Sequence, residues 1–115
     1  MQCILVVEDN DDLRQLYRQA LHMEGYSAVM TTNGREALDL LHTHQPKPRL
    51  IILDLMMPVM DGWEFLREQS KDENLRDIPV VVCSAAKDQV PSNVRFIRKP
   101  VDLNALLTVV EEHCK

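Results

Sequence analysis

Five short runs rich in β-branched residues punctuate the chain: CILVV at 3–7, YSAVM at 26–30, RLIIL at 49–53, IPVVVC at 78–83 and VRFI at 94–97. Apolar runs of strand length, bounded by turn-forming residues, predict strands buried on both faces. Most intervals between them carry the helical period. Leu13, Leu16, Tyr17, Ala20 and Leu21 recur at the spacing of one helix face, ended by Gly25. Asn33 with Glu36 three positions on predicts a capped second helix, with Ala37, Leu38 and Leu41 as its buried stripe and Pro46 and Pro48 closing it. Asp61 with Glu64 opens a third helix that carries Phe65 and Leu66 inward. Asp102 opens a last one with Leu103, Leu106, Leu107 and Val110 on one side.

Alternation of strand and helix, with strands that read as apolar throughout, calls for an α/β fold: a doubly wound five-stranded parallel sheet covered by helices on both faces. One interval breaks the rhythm. Between Ser84 and Val94 lie the nine residues AAKDQVPSN, whereas a parallel crossover usually needs about a dozen or more, generally including a helix. Pro91 would end any helix begun at Ala85, so at about 3.6 residues per turn the fourth helix is shortened or missing.

Length and composition narrow the picture. A chain of 115 residues with 45% hydrophobic content suits one domain over residues 1–115. The net charge of -5 and pI near 5.3, with basic residues scattered, argue against direct nucleic-acid binding, which needs clustered Lys and Arg. No apolar stretch approaches the roughly 20 residues that span a bilayer, and MQCILVV lacks the features of a secretory signal, so the expectation is a cytoplasmic protein without membrane contact. Cys3, Cys83 and Cys114 are odd in number and contain no C-x-x-C pair, which predicts free thiols, with Cys3 and Cys83 buried as small hydrophobes. His22, His42, His44 and His113 have no paired ligand set and read as solvated positions on helices.

The chemistry concentrates at strand ends. In LIILDLMMPVMDG, residues 50–62, the apolar run halts at Asp54. Ligands of doubly wound sheets bind beyond the carboxyl ends of the strands. Glu8 and Asp9 follow the first strand, Asp54 the third, Ser84 the fourth and Lys99 the fifth. Three carboxylates gathered there repel one another, by about 4 kcal/mol per pair at about 4 Å in an effective dielectric near 20. Lys99 offsets part of this. An oxygen-only ligand set without His or thiolate suits Mg2+, and a cation that polarises a phosphoryl group makes Asp54 a competent nucleophile toward it, with Ser84 and Lys99 placed to contact the phosphoryl oxygens.

VVEDN, DLMMPVMDG, the SA after the fourth strand and the KP after the fifth closely resemble the CheY-like receiver domain of two-component response regulators. The ordered set is specific, above all D-x-x-M-P-x-M-D-G, and the resemblance covers the whole chain. It implies a flavodoxin-like sheet of order 2-1-3-4-5. It implies that Glu8, Asp9, Asp54 and the main-chain carbonyl of Met56 hold Mg2+, and that Asp54 is the phosphoacceptor, served by Ser84 and Lys99. The bond from Lys99 to Pro100 is expected to be cis, and Phe96 is expected either to change rotamer with Ser84 or to be a plain core residue. The implied reaction is phosphoryl transfer from a histidine kinase or histidine phosphotransfer protein to Asp54, followed by slow hydrolysis, switching contact with a downstream protein. A domain that catalyses only its own modification is not an enzyme in the ordinary sense. The altered segment after Ser84 departs from the family and predicts a monomer, because the face that often carries family dimers must be remodelled.

Two other readings compete. An aspartate-nucleophile phosphohydrolase ordinarily needs a second acid two residues after the nucleophile, where this chain has Met56. A receiver-like module that binds proteins without phosphorylation would not need the full acceptor set, which is present. The residues do not choose between a free-standing regulator and a receiver within a larger protein.

Overall fold

The structure, a computed structural model, describes residues 3–85 and 90–114. Its elements in chain order are β1 (Ile4–Val7), α1 (Asp11–Met23), β2 (Ala28–Thr31), α2 (Gly34–Thr43), β3 (Leu50–Leu53), α3 (Gly62–Lys71), β4 (Val80–Ser84), β5 (Arg95–Arg98) and α4 (Leu103–His113). All pairings are parallel and the strand order is β2-β1-β3-β4-β5. This is the flavodoxin-like, doubly wound sheet expected from the sequence.

Because successive strand side chains point to opposite faces, each central strand feeds two cores. Leu5, Val7, Ile51, Leu53 and Val82 pack with Ala37, Leu38 and Leu41 of α2 and Phe65 and Leu66 of α3. Ile4, Val6, Leu50, Ile52, Val81 and Cys83 pack on the other face with Tyr17 and Leu21 of α1 and Leu106, Val109 and Val110 of α4. β1, β3 and β4 are buried along their whole length. The reading of every strand as apolar throughout fails at the sheet margins: β2 is mostly half-buried, and β5 reads RFIR with exposed arginines at both ends.

Two helical faces also differ from expectation. Leu16 is 43% exposed, because at about 100° per residue it lies roughly a third of a turn from the centre of the stripe carried by Tyr17 and Leu21. In α4 the stripe is centred on Leu106 with Val109 and Val110, leaving Leu103 and Leu107 half-buried on its flank. Cys83 is buried as expected, whereas Cys3, at the outer end of β1, is half-buried; all three cysteines are free. His22 and His42 are exposed, while His44, which caps the C-terminus of α2, and His113 are half-buried.

Each helix starts on a side-chain cap: Asn10, Asn33, Asp61 and Asp102 accept backbone N–H groups of the first turn. Among the described residues no helix separates β4 from β5, and the N–H of Val94 bonds to the carbonyl of Pro91 at 3.0 Å. The expected remnant helix from Ala85 falls on residues 86–89, which lie outside the described residues.

Asp72, at the end of α3, ties that helix to α2. Its carboxylate accepts from the N–H of Asn74 at 2.8 Å and meets His42 Nε2 at 3.0 Å. The Asn74 N–H first, and His42 second, hold the Asp72 carboxyl below its ordinary value of 3.8. Since the folded state binds this proton less tightly than the unfolded chain, the stabilisation is present above the unfolded pKa and is lost as pH falls through the folded one. Asp72→Asn is therefore expected to flatten the acid limb of stability against pH, followed by urea unfolding; an unchanged slope would contradict this.

Candidate functional site

The register of β1 and β3 places the site. Val7 is the partner of Leu53, so Glu8 and Asp54, each one residue past its strand, emerge side by side. The Glu8 N–H reaches the carbonyl of Thr31 at 3.1 Å and the Asp54 N–H that of Val7 at 3.0 Å, extending the ladder to the two acids. β4 ends at Ser84, which pairs with Arg98, and the Lys99 N–H donates to the Ser84 carbonyl at 3.0 Å. Strand pairing alone thus carries all four positions to one rim of the sheet.

The Lys99 ammonium spans the acids, 3.0 Å from Glu8 Oε1 and 3.3 Å from Asp54 Oδ1. Glu8 is 2% and Asp54 6% exposed, whereas Asp9 faces solvent. Each of the three acids offers a carboxylate oxygen within 4.8 Å of the others'. Burial first, and the Asp54 charge second, push the Glu8 carboxyl up, against the pull of Lys99. For Lys99 burial is the largest influence and favours loss of the proton, yet the Glu8 hydrogen bond and the Asp54 and Glu8 charges together outweigh it and raise the ammonium. One cation among three carboxylates leaves a surplus of negative charge in a partly dry pocket. An all-oxygen donor set of this kind fits a hard divalent cation that retains some of its waters.

The remaining expected positions fall around this centre. Ser84 is buried at the end of β4. Met56 lies two residues beyond Asp54 with its side chain 65% exposed. Phe96 is half-buried against the α2–α3 core, with the Arg98 guanidinium 5.8 Å from its ring centroid. The bond between Lys99 and Pro100 is cis, as expected; Gln45–Pro46 is also cis, which was not anticipated.

Several supporting residues escaped the reading of the sequence. Arg14 donates to the carbonyls of Glu8 at 2.9 Å and Asp9 at 3.0 Å, and pairs with Asp11, so α1 grips the backbone that presents both acids. Arg98 donates to the carbonyl of Ala85 at 2.9 Å, holding the chain just past Ser84. Neither contact has a periodic signature. Arg14 one turn into a helix that follows two acids was the available hint.

The turn after β3 is tight. The Gly62 N–H donates to the Leu55 carbonyl at 2.8 Å, and Gly34 donates to Met60 at 2.9 Å. Val59 sits between them at φ 70 with its side chain 80% exposed. A β-branched residue in the left-handed region carries strain of about 1–2 kcal/mol without a packing return. Val59→Asn is expected to raise the urea midpoint by an amount worth about 1 kcal/mol, and a lower midpoint would refute the strain.

The chain is a flavodoxin-like sheet whose strand ends gather three acids and a lysine, and residues 4–111 match the response regulator receiver domain family. The chain belongs to this family, the receiver domains of two-component signalling. It is 31% identical to the polar-differentiation response regulator DivK of Brucella anthropi, over 96% of this chain and 94% of that protein. Among solved structures it resembles the receiver domain of a signal transduction histidine kinase from Syntrophus aciditrophicus (TM-score 0.85, 32% identity, covering 95% of this chain and 86% of that one). It also resembles a response regulator receiver protein from Pseudomonas putida (TM-score 0.85, 30% identity, 96% of both chains). Among the described residues no helix is long and apolar enough to cross a membrane.

Proposed function

We propose that this chain is a single receiver domain over residues 1–115 that accepts a phosphoryl group on Asp54 from a phosphohistidine of a histidine kinase or histidine phosphotransfer protein. The observation that carries the reading is the half-buried Lys99 ammonium held between the buried Glu8 and Asp54, with Asp9 completing a three-carboxylate cluster. Glu8, Asp9, Asp54 and the Met56 carbonyl are the ligands for Mg2+. The chemistry that a bound Mg2+ supplies is neutralisation of the surplus charge and polarisation of the phosphoryl group.

Asp54 attacks phosphorus through one carboxylate oxygen as the bond from phosphorus to the histidine nitrogen breaks, and the freed imidazole takes a proton from solvent. Lys99, already between the acids, offsets charge on the phosphoryl oxygens, and the Ser84 hydroxyl donates to another. Drawing Ser84 inward moves the end of β4 and, with it, Phe96 on the neighbouring β5, which alters the surface offered to a downstream protein. The protein works as a cytoplasmic monomer with no nucleic acid or membrane partner, and as a phosphoacceptor rather than a turnover enzyme. Met56, where a phosphohydrolase would carry its general acid, supports that distinction, and the complete acid and lysine set favours phosphorylation over a purely passive binding module.

Incubation with acetyl phosphate and Mg2+, read by intact mass, is expected to give one phosphoryl adduct that is absent when EDTA replaces the metal. An unmodified mass with Mg2+ present would sink the reading, and sustained phosphate release from small esters would replace it with the hydrolase.

A further inference from the structure

The two ends of the chain bring a second reactive centre together, on the side of the sheet remote from the acids. Cys3 immediately precedes β1, at the opposite end of that strand from Glu8, and Cys114 caps the C-terminus of α4. Separated by 111 positions, they are in direct contact: the Cys114 thiol lies 3.9 Å from the Cys3 carbonyl oxygen and within hydrogen-bonding reach of the Cys3 side chain. Backbone bonds fix both. The Cys3 carbonyl accepts from the Arg49 N–H at 2.7 Å, and the Cys114 N–H donates to Val110 at 2.9 Å. Both residues are half-buried, packed on the α1–α4 core while keeping a solvent-facing part. Cys83 differs: it is buried within β4 on the same core face.

We propose that Cys3 and Cys114 form a dithiol modification site, closed to an intramolecular disulfide by exchange with a small-molecule disulfide of the glutathione type. One cysteine, as thiolate, attacks the S–S bond of oxidised glutathione; a protein–glutathione disulfide forms and one glutathione thiolate leaves and takes up a proton. The second cysteine gives its proton to solvent and attacks the protein sulfur of that mixed disulfide, expelling the second glutathione. Two protein thiols are oxidised by two electrons, and one glutathione disulfide is reduced to two thiols. The product bridges the first strand to the last helix.

Burial pushes the Cys114 thiol up to about 12. A thiol of high pKa is seldom ionised near neutrality and is also a poor leaving group, so both closure and reopening are slow. The site behaves as a latch rather than a rapid sensor. Closing so long a loop also restricts the unfolded chain strongly.

The test is prolonged incubation of the intact protein with excess oxidised glutathione at alkaline pH, then alkylation in denaturant, intact mass and peptide mapping. The expected product is a monomer lighter by two hydrogens before alkylation, with a Cys3–Cys114 cross-linked peptide and Cys83 alone alkylated. Its thermal midpoint should exceed that of the reduced protein by at least about 5 °C. Cys83→Ser should form the same bridge, and Cys3→Ser and Cys114→Ser should each abolish it. Stable glutathione adducts without the bridge, disulfide-linked dimers, or three alkylated thiols at the end of the incubation would each overturn the proposal.

Discussion

Asp54→Asn is expected to abolish the phosphoryl adduct and, without metal, to stabilise the fold by about 1–2 kcal/mol. The two effects come from one charge. In the native pocket Glu8 and Asp54 are both nearly dry and share a single ammonium. The upward shift of Glu8, due to burial and then to Asp54, records what that sharing costs. With Asn at position 54, Lys99 and Glu8 become a balanced pair, and the amide oxygen can still accept from the Leu55 N–H that now donates to Asp54 Oδ1 at 2.9 Å. Urea unfolding in EDTA should show the higher midpoint. Stabilisation of the native protein by Mg2+, about 2.7 kcal/mol at a hundredfold excess over Kd, should shrink in the variant. A variant less stable than the native protein in EDTA would show that the lost contact with Lys99 outweighs the relieved repulsion.

Gly62→Ala is the most damaging small substitution foreseen. A Cβ at position 62 would lie 2.4 Å from the Asp54 carbonyl oxygen and 2.7 Å from Leu55 Cα. Both obstacles are backbone, and they belong to the segment that presents Asp54, so no side-chain rotation relieves the clash. The chain must either move the Asp54 turn or shift α3, which packs Phe65 and Leu66 into the core. The expected loss is at least about 3 kcal/mol in urea unfolding, with weaker phosphoryl uptake in whatever folded protein remains. A stability within about 0.5 kcal/mol of native would mean that the turn has slack which the tight Gly62–Leu55 hydrogen bond conceals.

Much of this was legible because parallel pairing converts position along the chain into position in space. Once LIIL and ILVV are read as neighbouring strands, Glu8 and Asp54 must emerge together, and the register of Val7 with Leu53 bears that out. Side-chain caps at Asn33, Asp61 and Asp102 were legible for a similar reason, since each acts within one helical turn. What escaped was set by tertiary context. Leu16 fits the helical period as well as Tyr17 does, and only the placement of α1 over the sheet decides which of them is covered. Arg14 and Arg98 act on carbonyls, which every residue possesses, so no residue type announces the partner. The closeness of Gly62 to Asp54 likewise depends on the path of a turn rather than on its composition. The contact between Cys3 and Cys114 joins positions whose separation carries no local pattern at all.

The arginines at both ends of β5 bear on how the molecule behaves when crowded. A marginal strand offers unsatisfied main-chain donors and acceptors to any passing chain, and its usual protection is charge along that border. Arg95 and Arg98 are exposed there, Arg95 leaning on Glu112 at 3.0 Å and Arg98 on Ala85. Two copies approaching border to border would bring like charges together before any ladder could form, so this flank favours colloidal dispersal over fibrillar growth.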